Sequence, residues 1–180
     1  RRRLLKIMGD VEGGGAQLRL APEPAHRLVT GAVERLASRS RQRGVEVAVE
    51  TAPDLPPVLC DRERLEQVLV NLIDNAVTNT DPGGRVTVSA TFNGSEVVFA
   101  VRDSGEGIAA EDLPRVFERF YGADRWRAAG GTGLGLSISK HTVQTHGGRI
   151  WAESATGQGR TFLFAIPATP ANGNNTGTPN

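Results

Sequence analysis

Asn71 and Asn75 stand four residues apart in a segment whose apolar residues recur at helical spacing, so both carboxamides fall on one helix face. A carboxamide oxygen can ligate a hard cation such as Mg²⁺, and amide hydrogens can meet phosphate oxygens. Asp103 ends an alternating apolar run and opens the turn Asp103-Ser104-Gly105-Glu106-Gly107-Ile108. A carboxylate there can accept a hydrogen bond from an exocyclic amine, which selects adenine over guanine, while Gly105 and Gly107 let backbone approach a base closely. The third stretch, Gly130-Gly131-Thr132-Gly133-Leu134-Gly135-Leu136, opens a helix. Free N–H groups and the positive dipole end at such a helix mouth suit triphosphate oxygens. Taken singly, the asparagines also read as a solvated stripe and the Asp103 segment as a tight turn. Their joint occurrence with the glycine stretch points to a nucleotide. That stretch lacks the Gly-Lys-Ser/Thr of a Walker loop, and no strand precedes it as the Rossmann fingerprint requires.

The elements that must hold these groups follow from spacing. Leu28, Val29, Ala32, Val33 and Leu36 predict one helix over about 24–43, closed by Gly44 after a basic last turn. Alternation over 45–50 predicts a half-buried strand, and the Pro-rich stretch from Pro53 to Pro57 leads to a short extended piece at 57–59. Asp61 is placed to cap a second helix with Leu65, Val68, Leu69, Leu72, Ile73 and Ala76 on its apolar face, broken after Thr80 by Asp81-Pro82-Gly83-Gly84. Strands over 85–92 and 96–103, joined at Asn93-Gly94, predict an antiparallel hairpin. Residues 104–133 read as a glycine-rich lid, followed by a helix over 134–148 and two closing strands, 149–154 and 160–167. This order predicts an α/β fold, a two-layer sandwich with three helices on one face of a mixed, mostly antiparallel sheet. Residues 1–20 read as a helix end with a short extended piece at 18–20, and 21–167 as the domain proper. Residues 168–180, rich in Asn, Gly, Thr and Pro, read as a disordered tail.

A chain of 180 residues suits one domain with a substantial core. Its 21 Lys and Arg nearly balance 20 Asp and Glu, which gives no reason to expect nucleic acid or an anionic membrane as partner. The single cysteine, Cys60, cannot form an internal bridge and reads as a small apolar filler in a reducing compartment. No apolar run reaches the roughly 20 residues that span a bilayer. Because the sequence begins with Arg1 rather than Met, it reads as a piece of a longer protein.

The segments "NLIDNAVTNT", "DSGEGI", "RVFERFY" and "GGTGLGLSISK" stand in the order of the N box, first glycine box, F box and second glycine box of sensor histidine kinases. The closing "GGRIWAESATGQGRTFLFAIP" resembles the end of the same domain, so the likeness runs over about residues 24–167. The resemblance implies the Bergerat ATP-binding fold shared with gyrase and Hsp90 relatives, with ATP and Mg²⁺ as ligands. It implies that Asn75 is the metal ligand, Asn71 the phosphate-adjacent asparagine and Asp103 the reader of the adenine amine. Gly105, Gly107 and Ile108 fall on the base side. Gly131, Thr132, Gly133, Leu134 and Gly135 wrap the phosphates, Phe117 and Phe120 anchor the lid, and Thr161 also lies at the nucleotide. Its partners are a phosphoacceptor histidine hairpin, in the parent chain or on another polypeptide, and a response-regulator receiver domain. Neither nucleic acid nor direct membrane contact is implied, and the location is the cytoplasmic portion of a membrane-anchored parent.

Two departures from the pattern stand out. Thr78 and Asn79 occupy positions where such kinases often carry a Lys or Arg and then an aromatic or histidine, and Gly122 replaces an arginine, leaving Arg119, Arg125 or Arg127 to meet the γ-phosphate. Weakened ATP affinity is the expectation. The hydrolytic relatives carry a glutamate where Asn71 stands, and an amide cannot act as general base, so slow hydrolysis and transfer to an external nucleophile are expected. Three histidines, His26, His141 and His146, lack the family's acceptor context and read as structural or exposed. The segment Leu4 to Glu12 resembles the end of the acceptor hairpin, placing the acceptor outside this chain. The alternatives are a free-standing ATPase or serine kinase, and a degenerate adenine-nucleotide module.

Overall fold

The computed structural model describes residues 18–105, 135–154 and 159–168. Its elements are β1 (Ala21–Glu23), α1 (Ala25–Arg35), α2 (Ala37–Arg43), β2 (Glu46–Thr51), β3 (Val58–Cys60), α3 (Arg62–Thr78), β4 (Arg85–Phe92), β5 (Glu96–Asp103), α4 (Gly135–Thr145), β6 (Arg149–Ser154) and β7 (Arg160–Pro167). Five strands form one sheet in the order β2-β4-β5-β7-β6, in which β2 runs parallel to β4 and the other neighbours are antiparallel. A separate antiparallel pair joins β1 to β3, with Ala21 opposite Cys60. Helices α1, α3 and α4 pack on one sheet face, giving the expected two-layer α/β sandwich.

The core lies between the layers. Alternation sends Val86, Val88 and Ala90 of β4, Val97, Phe99 and Val101 of β5, and Phe162, Phe164 and Ile166 of β7 toward the helices, where all are buried. Phe99 and Phe164 are direct cross-strand partners with stacked rings 4.8 Å apart. Against them α3 sets Leu65, Val68, Leu69, Leu72, Ile73 and Ala76, all buried, as its periodicity predicts. The Asp61 side chain accepts the Arg64 N–H and caps the helix.

The expected single helix over 24–43 is two helices that meet at Leu36, whose φ of −107° and ψ of 8° leave the helical region. The apolar period of Ala25, Leu28, Val29 and Ala32 stops at this point, and of α2 only Ser40 is buried. The break keeps Leu36 against the core while α2 turns its arginines toward the end of α3. There Arg43 Nη2 donates to the carbonyls of Thr78 at 2.9 Å and Thr80 at 3.1 Å, supplying donors to a helix end whose last carbonyls have no intrahelical partner. The extended piece expected at 18–20 becomes a regular strand only from Ala21.

Candidate functional site

Helix α3 carries the first wall. Gln67, Asn71, Asn75 and Asn79 recur every fourth residue and so form a carboxamide stripe along it. Gln67 Nε2 donates to Asn71 Oδ1 at 2.9 Å, and Asn71 Nδ2 donates to the buried Ser139 Oγ at 3.3 Å, tying α3 to α4. Further along, Asn79 Nδ2 donates to the Asn75 carbonyl at 2.8 Å and to Asn75 Oδ1 at 3.2 Å. The Asn75 Nδ2 is buried with no hydrogen-bond partner among the described residues. A buried donor left unpaired costs about 1–3 kcal/mol, so the site favours an acceptor such as a phosphate oxygen there.

Strands β5 and β7 carry the second wall. Arg102 lies opposite Thr161, which sets Asp103 beside Arg160 on the neighbouring strand. Both side chains point to the helix-covered face, 1% and 8% exposed. Asp103 Oδ1 accepts the N–H groups of Gly105 and Arg160, each at 3.1 Å, while Oδ2 accepts Arg160 Nε at 2.9 Å. The guanidinium carbon also lies 5.2 Å from the centre of the Phe162 ring.

Two glycines let these walls meet. A Cβ at Gly105 would overlap the carbonyl of Asn79, so the end of β5 and the end of α3 touch backbone to backbone. At Gly159, with φ +82°, a Cβ would overlap the Asp103 carbonyl. Asn75, Asn79, Gly105, Asp103, Gly159 and Arg160 therefore form one contiguous set, with Asn71 one turn along α3.

Four predicted residues, Asn71, Asn75, Asp103 and Gly105, belong to these two walls, and Gly135 begins α4. Gly107, Ile108, Phe117, Phe120, Gly131, Thr132, Gly133 and Leu134 lie outside the described residues, as do Arg119, Gly122, Arg125 and Arg127. Strand alternation turns Thr161 to the opposite sheet face from Asp103, and Arg160 stands beside Asp103. Sequence reasoning missed Arg160, Gly159 and Ser139, and named Asn79 only as a departure from the family pattern. Arg160 carried a signal, because it is in phase with Phe162, Phe164 and Ile166, and a charge on an inward strand face demands a partner.

The change at Thr78 does not leave that position without a cation. Arg39 Nη2 donates to Thr78 Oγ1 at 2.7 Å, and Arg39 Nε pairs with Asp74. His26 Nδ1 meets Thr51 Oγ1 at 2.8 Å, and His141 is exposed. Cys60 is fully buried, and burial, followed by the charges of Glu23 and Asp61, pushes its thiol up to about 12. It is the apolar filler expected from the sequence.

A carboxamide stripe on α3 thus stands against a strand-end carboxylate, on helices packed over a mixed sheet. The model of the histidine kinase-, DNA gyrase B- and HSP90-like ATPases matches residues 60–170. The chain belongs to that family. Among relatives of this ATPase family, the adaptive-response sensory kinase SasA of Synechococcus elongatus is 36% identical over 169 residues, covering 92% of this chain and 44% of its own length. The chain thus spans less than half of that relative. The full-length ShkA structure in complex with AMPPNP superposes with a TM-score of 0.76 at 34% identity, covering 86% of this chain and 33% of that one. The histidine kinase ThkA in complex with the response regulator TrrA gives a TM-score of 0.73 at 27% identity, covering 91% and 46%. No helix among the described residues is long and apolar enough to cross a membrane.

Proposed function

We infer that this chain is the ATP-binding catalytic domain of a sensor histidine kinase, which holds Mg·ATP and passes the γ-phosphoryl group to a histidine outside residues 1–180. One observation carries the choice of transfer over hydrolysis. Where the hydrolytic relatives place a glutamate, α3 presents Asn71, and both ends of its amide are engaged, by Gln67 and by Ser139. An amide takes no proton at neutral pH, so this position offers no base to activate water, which favours a nucleophile that arrives on another domain.

The residues present fit the nucleotide and its cation. Asn75 Oδ1 accepts one hydrogen bond and keeps a lone pair for a hard cation, while its orphaned Nδ2 suits a phosphate oxygen. This carboxamide and the phosphate oxygens would hold the cation. Mg²⁺ would supply charge neutralisation on the phosphates, which with positioning is most of what phosphoryl transfer needs. Asp103 and Gly105 form the base end. By the resemblance, Gly107 and Ile108 are assigned to the base side, Phe120 to anchoring the lid, and Gly131, Thr132, Gly133, Leu134 and Gly135 to the backbone that wraps the phosphates.

The named kinases among the relatives, the AMPPNP held by ShkA and the TrrA bound by ThkA support this reading. The same reading takes a phosphoacceptor hairpin and a receiver domain as partners, with a cytoplasmic setting under a membrane-anchored parent and a catalytic domain over 21–167; the TrrA bound by ThkA supports the receiver domain. Incubation of the 180-residue chain with Mg·ATP labelled at the γ-position and a separately prepared histidine hairpin tests it. Acid-labile label on the hairpin is expected, with little free phosphate. Rapid phosphate release without the hairpin, and none of the label on it, refutes the kinase assignment.

A further inference from the structure

The Asp103–Arg160 pair leaves two neighbouring positions open. Arg160 Nε takes only one site on Asp103 Oδ2, so that oxygen can accept once more. On the same edge of the guanidinium, Nη2 is buried without a hydrogen-bond partner among the described residues, on a side chain 8% exposed. An Arg–carboxylate pair ordinarily closes as a fork, with Nε and Nη2 each on one carboxylate oxygen. Here the second carboxylate oxygen is instead occupied by the N–H groups of Gly105 and Arg160, and the second tooth of the fork is free. The result is a donor beside an acceptor, both buried, at the strand end against α3. An orphaned donor on a charged group is costly, and a ligand that supplies an acceptor removes the cost.

We propose that Arg160 is a specificity-determining residue of the base site, its Nη2 donating to adenine N1 while Asp103 Oδ2 accepts from the adjacent N6 amine. The amidine edge of adenine presents an acceptor next to a donor, the complement of this pair. Asp103 alone reads only the amine; the couple reads both positions, with a protein donor in direct contact with the ring nitrogen. The proposal rests on the reading of these two walls as an ATP site and names the group that completes its base end. Because Arg160 is held by its own backbone N–H and by Nε, the donor is fixed before the ligand arrives.

Calorimetric titration of the 180-residue chain with Mg·ATP, Mg·1-deaza-ATP and Mg·GTP tests it. In 1-deaza-ATP a C–H replaces the N1 acceptor and the amine stays. Wild type is expected to bind it roughly 10- to 100-fold more weakly than ATP, the range for a hydrogen bond from a charged donor. Arg160→Met, checked for its fold by circular dichroism, is expected to bind the two nucleotides within about threefold of each other, since little beyond a neutral contact remains to tell them apart. Equal affinity of wild type for ATP and 1-deaza-ATP overturns the proposal and leaves the ATP site standing, and this arm needs no variant. Full discrimination retained by Arg160→Met overturns it likewise. GTP bound as tightly as ATP overturns the adenine assignment, because guanine offers the same pair of groups in reversed order. Binding of none of the three nucleotides overturns both the proposal and the kinase reading.

Discussion

His146 Nε2 accepts the backbone N–H of Asp61 at 3.1 Å, joining the end of α4 to the residue that caps α3. Its Nδ1 lies 2.8 Å from the Thr142 carbonyl, so Nδ1 carries the proton and donates while Nε2 accepts. Both ring nitrogens are committed, so His146 has a structural task. Replacing His146 by Ala leaves the Asp61 N–H without its partner, and a loss of about 1–3 kcal/mol in urea unfolding is expected. Label transfer from ATP to a separate histidine hairpin should persist under conditions where the variant is folded. Loss of transfer in a folded His146→Ala protein would point to an acceptor inside the chain.

Asn75→Ala removes the carboxamide oxygen assigned to the cation and the orphaned amide assigned to phosphate. Mg-dependent ATP affinity should fall by about 10- to 100-fold, in the range seen when groups around a metal are lost. The fold should hold, since Asn75 Nδ2 makes no bond and Asn79 keeps its contact with the Asn75 carbonyl. Calorimetry with and without a chelator is the measurement. Unchanged magnesium dependence in the variant would remove Asn75 from the metal role.

Asp103→Ala strips the carboxylate from a buried guanidinium, and stability should drop by about 3–5 kcal/mol, the cost of leaving one partner of a buried pair alone. The sequence suggests that Asp103→Asn would alter adenine recognition without disturbing the fold. The buried pair revises that expectation: the neutral amide weakens both recognition and stability. Urea midpoints at constant m decide the matter, and a wild-type midpoint for Asp103→Ala would show the pair to be energetically idle.

The Cys60 thiol, raised from 9.0 to about 12, stays protonated in the fold at pH values where an unfolded thiol ionises. A group whose folded value is raised contributes stability below its unfolded value and loses that contribution as pH climbs toward the folded one. Stability should therefore decline from about pH 9.0 toward about 12, and less so in Cys60→Ala. A thiol reagent at pH 8 should label Cys60 only after denaturant is added; rapid labelling of the native protein would contradict its burial.

Much of the fold was legible because strands and helices announce themselves by period. The hairpin of β4 and β5 spans 85–92 and 96–103 as read from alternation and Asn93-Gly94, and the Asp61 cap and the apolar face of α3 follow the same way. The break at Leu36 was not legible, since no Gly or Pro marks it and the cause is where α2 must go to reach α3. Strand phase also sets which residue neighbours Asp103: Arg160 shares the phase of the buried phenylalanines, and Thr161 falls on the other face.

The sequence by itself determined the layers of this protein and the groups on α3 and β5 proposed for the nucleotide, because residue type and period are local properties of the chain. Only the tertiary structure decided what those groups touch. Asn71 meets Ser139 across 68 positions and Asp103 meets Arg160 across 57, and such pairings follow from strand register and helix packing rather than from any stretch read alone. The free edge of the Arg160 guanidinium exists because Gly105 and the Arg160 backbone reach the Asp103 carboxylate first, a competition in three dimensions that no linear pattern records.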